Sequence, residues 1–450
     1  MVNEVSSQGL DALLAEHLKG VIMSRLVTHY YCIFFLLLTA FLLAGCTSSE
    51  IPGSTISPSA IATLLPNPVE LATPTNVAPS VSPTPNSLTS GPFKMVLPID
   101  AITTDTVESL ISTSNGSLWL ITREMIIRIL ENEPEVYLSD YPGKFVGLDD
   151  LGRVWVVSED TSEISAWDGK TRTTFGADNG WTPLNENSFW QVYNGVGDID
   201  GGFWLPTSQD VRYFDGKNWV VFSRQELGME PPVYEDLMPR FMVKVAKSGT
   251  VWVGECDWGG PGPFGGGGLR WLEDGTWQGV TSPAASGCVN AYIEDQLGRV
   301  WVGIDSNLWR FDPASGDWLE FGTPPTPIKD TRFGYFVSLA LDPDEEIWPV
   351  LDLCGGASCY GSSVLYHLRD AQWNQVGEVA EYDDRHWGPI FDNAGTGWLG
   401  WQGGIYRIKN DTPELVSPIA GRFGTVDGIG RIWFVAELEG KETLWVMNEE

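Results

Sequence analysis

Positive charge is scarce in this chain: its 450 residues hold 27 Lys plus Arg against 59 Asp plus Glu, a net charge of −32. A polyanion would be repelled rather than steered in, which excludes nucleic acid as a partner. Histidine is scarcer still. Of the four, His17 and His29 lie near the start, leaving His367 and His386 for the rest of the chain, too few for a three-His zinc centre. The apolar run Cys32–Leu43 is twelve residues long, short of the roughly 20 that span a bilayer. Uninterrupted stretches of good helix formers are also missing, whereas Gly 50, Pro 29 and Trp 21 supply turns and large aromatics. That balance excludes a helical bundle and favours strands.

The apolar run follows Arg25 and precedes small residues, the layout of a signal peptide. It ends in Leu43-Ala44-Gly45-Cys46, which resembles the bacterial lipoprotein signal; that resemblance implies cleavage before Cys46 and acylation of its thiol and new amino group. Residues 1–45 are therefore expected to be a signal peptide. Glu4, Asp11 and Glu16 are out of place in its leading segment, so Met23 is the alternative start. Thr47 stands where an inner-membrane retention signal has Asp, and the choice of membrane and leaflet stays open. Between Thr47 and Pro92 there are nine prolines and only Glu50 and Glu70 as charges. Residues 46–92 thus read as a lipidated cysteine and a disordered tether spanning roughly 35–40 Å.

A turn followed by Trp recurs at Trp119, Trp155, Trp204, Trp252, Trp301, Trp348, Trp398 and Trp433, spaced 36, 49, 48, 49, 47, 50 and 35 residues apart. Such periods mark propellers or solenoids. One repeat, with runs Val289–Glu294, Val300–Gly303, Leu308–Asp312 and Asp317–Phe321, reads as four short strands, the make-up of one propeller blade. Its stretch Glu294-Asp295-Gln296-Leu297-Gly298-Arg299-Val300-Trp301-Val302-Gly303, followed by Leu308-Trp309-Arg310-Phe311-Asp312, resembles the two-component-regulator propeller repeat. The repeats at Trp155, Trp204 and Trp252 match it in part, and the one at Trp348 lacks the turn glycine. The resemblance implies a sensor-type extracytoplasmic module. The expected fold is all-β: a single β-propeller over 93–450, with eight four-stranded blades or, alternatively, seven. The last repeat stops after its third strand, Glu442–Asn448, leaving a bare edge that a strand near 94–99 is expected to fill.

In such a blade the loops from strand two to three and from strand four to the next blade open on one face. Here they are long at 256–268, 353–363, 176–188, 223–239, 322–333 and 378–387, which marks that face as the working one. Its ligand-face candidates are Trp181, Tyr234, Asp257, Trp258, Arg332, Tyr335, Tyr360, Asp383, Arg385 and Trp387, aromatic platforms and charges that suit a glycan, peptide or small molecule. Asp384 and His386 are the nearest to an acid–base pair, yet no full catalytic set is legible. With Cys32 removed and Cys46 acylated, Cys256–Cys288 and Cys354–Cys359 are expected to be disulfides in an oxidising compartment.

Asp198-Ile199-Asp200-Gly201 lacks the flanking ligands of a calcium loop and reads as a β-turn. The Gly-rich stretch 259–268 lacks a Lys-Ser/Thr and a following helix, so it is a mobile loop rather than a phosphate cradle. No cofactor or metal is called for. The function expected is that of a membrane-anchored extracytoplasmic lipoprotein whose propeller binds a ligand or protein partner. A polysaccharide lyase or glycosidase and an envelope scaffold are the alternatives.

Overall fold

The computed structural model describes residues 89–90, 92–98, 107–113, 117–130, 133–139, 141, 143–184, 194–229, 238–259, 262–263, 268–279, 287–325, 333–354, 363–379, 388–401 and 403–447. Among them the regular structure is all strand except one 3-10 turn, Ala177–Asn179.

The strands follow from where the apolar residues fall. Every residue of Leu118–Thr122, Val154–Val157, Phe203–Pro206 and Val300–Ile304 is buried, because each is the second strand of its sheet and is covered on both faces. Hence these strands read as continuous apolar runs rather than alternating ones. Fourth strands such as Arg172–Phe175 and Asp317–Gly322 lie at sheet edges and are mostly exposed or half-buried.

The strands form four-stranded antiparallel meanders in chain order, as in Val289–Glu294, Val300–Ile304, Asn307–Asp312 and Asp317–Gly322. This is the blade architecture of a β-propeller. The 107–139, 238–279, 333–379 and 390–417 sheets repeat it, the 238–279 sheet with one extra short strand. The 144–223 sheet is a double unit, its halves joined by parallel pairing of Gly195 with Gly147 and Val196 with Leu148. A Cβ on Gly147 would lie 2.7 Å from the Phe203 ring, so the two inner edges meet because that residue has no side chain. In the last sheet Ala420–Val426, Ile432–Leu438 and Lys441–Met447 are joined by Phe93–Pro98, which pairs from Phe93 opposite Met447 to Pro98 opposite Thr443.

Apolar clusters fill the spaces between neighbouring sheets. Trp204 and Val211 pack on Phe241, Val243 and Val253 of the following sheet. Trp433, Val435, Leu444 and Val446 of the last sheet pack on Val107, Leu118, Leu120 and Ile127 of the 107–139 sheet.

The recurring turn has a specific chemistry. One oxygen of Asp149 accepts the backbone N–H groups of Leu151 (3.0 Å) and Arg153 (2.9 Å), while the other accepts the Trp155 indole N–H (2.8 Å) and Arg153 Nε (2.6 Å). The same Asp-to-Trp bond, six residues apart, recurs from Trp348 to Asp342 (3.0 Å), Trp398 to Asp392 (3.0 Å) and Trp433 to Asp427 (2.8 Å). Gly152 takes the left-handed position at φ 74°, and Glu345 occupies that position at φ 63° where the turn glycine is missing. Ala246 stands in the aspartate's place before Trp252, whose indole instead reaches Glu294 of the next sheet at 2.7 Å. Asp198–Gly201 is the expected turn.

Candidate functional site

The aspartate turns occupy one end of the sheets; the connections between sheets leave from the other. Two buried arginines fasten these connections. Arg212, 1% exposed, grips Asp210 through Nε (2.8 Å) and a terminal nitrogen (3.2 Å) and donates to the carbonyl of Thr182 at 2.5 Å. Arg270 donates to the carbonyls of Leu227 (3.0 Å) and Gly228 (2.8 Å). Nearby, Arg224 meets Glu255, which is 0% exposed, at 2.7 Å. Cys256 and Cys288 form a disulfide with Cα atoms 4.3 Å apart, tying the 238–279 sheet to the connection that leads into the next. These loops are thus built onto the scaffold at their bases.

Trp181 is a correction to the sequence reading. Rather than standing exposed on a ligand face, it is 1% exposed, donates its indole N–H to the Thr161 carbonyl at 3.0 Å and lies 4.4 Å beneath the Arg212 guanidinium. The loop folds inward because the ring finds both an apolar neighbour, Trp219 at 5.2 Å, and a hydrogen-bond acceptor. The Gly-rich stretch is corrected at its start as well. Val251–Gly259 runs on through Asp257 and Trp258, paired with Pro239 and Met238, and Gly262–Pro263 folds back on its end as a hairpin. Tyr335 is half-buried on Phe333–Leu341, paired with Asp352, to which Ser363 donates. Cys46, Tyr234, Arg332, Cys359, Tyr360, Asp383, Asp384, Arg385, His386 and Trp387 lie outside the described residues, and with Cys359 the second expected disulfide.

Two groupings escaped the sequence reading. His367, fully buried and stacked on Trp348 (3.8 Å between centroids, 11°), places Nε2 2.9 Å from Glu346 and Nδ1 2.7 Å from Asp411. Arg369 donates to Glu346 at 2.8 Å, and that bond holds the Glu346 carboxyl below its usual range. Asp342, Glu346 and His367 bring donor atoms of metal-ligand type within 4.8 Å of one another. Asp342 is engaged by the Trp348 indole and Glu346 by Arg369, so the group works as an ion-pair network fastening the 333–379 sheet to the 390–417 sheet.

The other grouping is cationic. Lys144, Arg240, Lys244 and Arg422 all lie on strands that open a four-strand unit. The signal was present in the sequence, since basic residues in the first strand of a repeat stand out in so acidic a chain. A cleft of about 180 Å³ also opens on first strands, lined by Ile111, Thr113, Phe145, Asp150, Asn194 and Val196.

No family model and no curated protein matches this chain. Among solved structures it is similar to the extracellular domain of the putative one component system BT4673 from B. thetaiotaomicron, at 12% identity over 74% of this chain and 50% of that one, with a TM-score of 0.40. It is also similar to the WD40 domain of SCAP from fission yeast (11% identity, 76% and 92% covered, TM-score 0.43) and to YCF48 from Cyanidioschyzon merolae (12%, 79% and 98%, TM-score 0.37). The chain spans about half the length of the first of these.

Proposed function

We propose that this chain is a lipid-anchored extracytoplasmic protein that displays one closed, eight-bladed propeller as a ligand- or partner-binding module. The observation that carries the binding role is the contrast between the two ends of the sheets. One end closes in short aspartate turns, while the other carries long connections clamped by Arg212, Arg270 and the Cys256–Cys288 disulfide. A rigid scaffold that presents loops at one end is suited to recognition. Counting the 144–223 sheet as two blades makes eight, and the packing of the last sheet on the 107–139 sheet supports a closed ring. The disulfide fits an oxidising compartment. In this reading residues 1–45 are the signal peptide, 46–92 the tether and 93–450 the propeller.

The binding role is tested by thermal unfolding, followed by Trp fluorescence, against glycans, cell-wall fragments, peptides, amino acids and divalent cations. A ligand at a hundred times its dissociation constant should add about 2.7 kcal/mol. A flat response across the panel would count against small-ligand binding and leave a macromolecular partner. For the anchor, labelled palmitate should enter the chain and be lost in Cys46→Ala; label retained in that variant would remove the anchor at Cys46.

A further inference from the structure

We propose that the cleft between the 107–139 sheet and the first half of the 144–223 sheet is a binding site for a small aromatic carboxylate, one six-membered ring bearing one carboxylate, with Trp167 as its platform and Arg172 as its cation. The first observation is a gap in a repeated packing position. Opposite the residue that follows the repeat Trp, the third strand carries Ile127, Arg212, Arg270, Trp309, Tyr406 or Trp445 in other units. Of these, Ile127, Trp309, Tyr406 and Trp445 belong to the apolar contacts with the preceding sheet. In the 144–175 unit the matching residue is Ser165, opposite Val156. Its short side chain leaves a cavity of about 180 Å³, walled by Leu138, Tyr141, Val154, Val156 and Trp167, with Arg172 beside it.

The second observation is the chemistry that converges on this space. An apolar cavity of about 150 Å³ is enough to hold benzene, so one six-membered ring fits. Trp167 lies opposite Val154, and Arg172 lies opposite Trp167 on the next strand, so the three share one face of the unit. The Trp167 indole N–H is spent on the Tyr137 carbonyl (3.2 Å) and the Tyr141 hydroxyl on the Thr122 carbonyl (2.8 Å), which leaves both aromatics as apolar walls. Arg172 is exposed at the mouth, where its Nε donates to the Ser165 hydroxyl at 3.0 Å. Among the described residues no carboxylate pairs with it, although the chain has a net charge of −32. Its terminal nitrogens are thus open to a bidentate carboxylate. A sugar acid fits poorly, because walls of Leu138, Val154 and Val156 would leave its ring hydroxyls without partners.

The site is separate from the long connections and does not depend on how the propeller closes. The test is isothermal titration of phenylacetate, benzyl alcohol and glucuronate into the full chain at pH 7. Phenylacetate should bind one to one, benzyl alcohol about tenfold more weakly for want of the charged pair with Arg172, and glucuronate not measurably. Arg172→Gln, a change at an exposed position, should bring phenylacetate down to the affinity of benzyl alcohol. Ser165→Ile, which installs the residue found at the matching position of the 107–139 sheet, should abolish binding of both, with its thermal unfolding showing that the variant is folded. Absence of phenylacetate binding, an unchanged affinity in Arg172→Gln or in folded Ser165→Ile, or glucuronate binding as tightly as phenylacetate would each overturn the proposal.

Discussion

Asp427 shows how one carboxylate organises a turn. It accepts the backbone N–H groups of Ile429 and Arg431 together with Arg431 Nε and the indole of Trp433. Burial pushes its carboxyl up, but the bonds from Trp433 and Arg431 outweigh that and hold it below the usual carboxylate range. A group depressed in the folded state stabilises the fold above its unfolded pKa of about 3.9, and that contribution is lost as pH falls through the folded value. Asp427→Ala should therefore cost about 2–3 kcal/mol at pH 7, because it strands the buried Trp433 indole N–H. Urea unfolding at pH 7 and pH 3 should show the gap between variant and parent narrowing in acid; a constant gap would assign the loss to something other than the charged form. The Asp and Trp of this turn were legible as a motif, but their bond was not. Trp181 was misjudged for a related reason: its cover, Arg212, comes from another strand some thirty residues away.

At the scale of the element, periodicity located the strands well because each blade's second strand must be apolar on both faces, as in Val300–Ile304. What it missed was how far strands run on. Met238–Val245 and Val251–Gly259 are longer than most of their counterparts and carry the pairing past Cys256 to Trp258, where composition alone read a loop. The disulfide stands at the base of this extension and closes a segment of 32 residues. Replacing both cysteines by serine should lower stability by about 3–4 kcal/mol through the gained chain entropy of the unfolded state. The measurement is denaturant unfolding of the oxidised parent against Cys256→Ser/Cys288→Ser, and equal midpoints would show the bridge to be energetically idle.

At the scale of the whole molecule, the strand Phe93–Pro98 covers the edge of Lys441–Met447, more than 340 residues further along the chain. Deleting residues 93–98 should bare that edge and remove Phe93 and Met95, both buried against the last sheets. The expected outcome is a lower unfolding temperature and association on size exclusion; a monomer of unchanged stability would show that the strand is dispensable. By itself the sequence determined the all-β class, the repeat period and the turn-and-Trp motif, because each is a local pattern that recurs along the chain. It also pointed to a strand near 94–99, and Phe93–Pro98 does pair with Lys441–Met447. Only the tertiary structure decided which loop aromatics are buried and which carboxylates His367 meets. Those outcomes turn on contacts between strands and sheets far apart in the chain, where side chains compete for partners that local sequence does not specify.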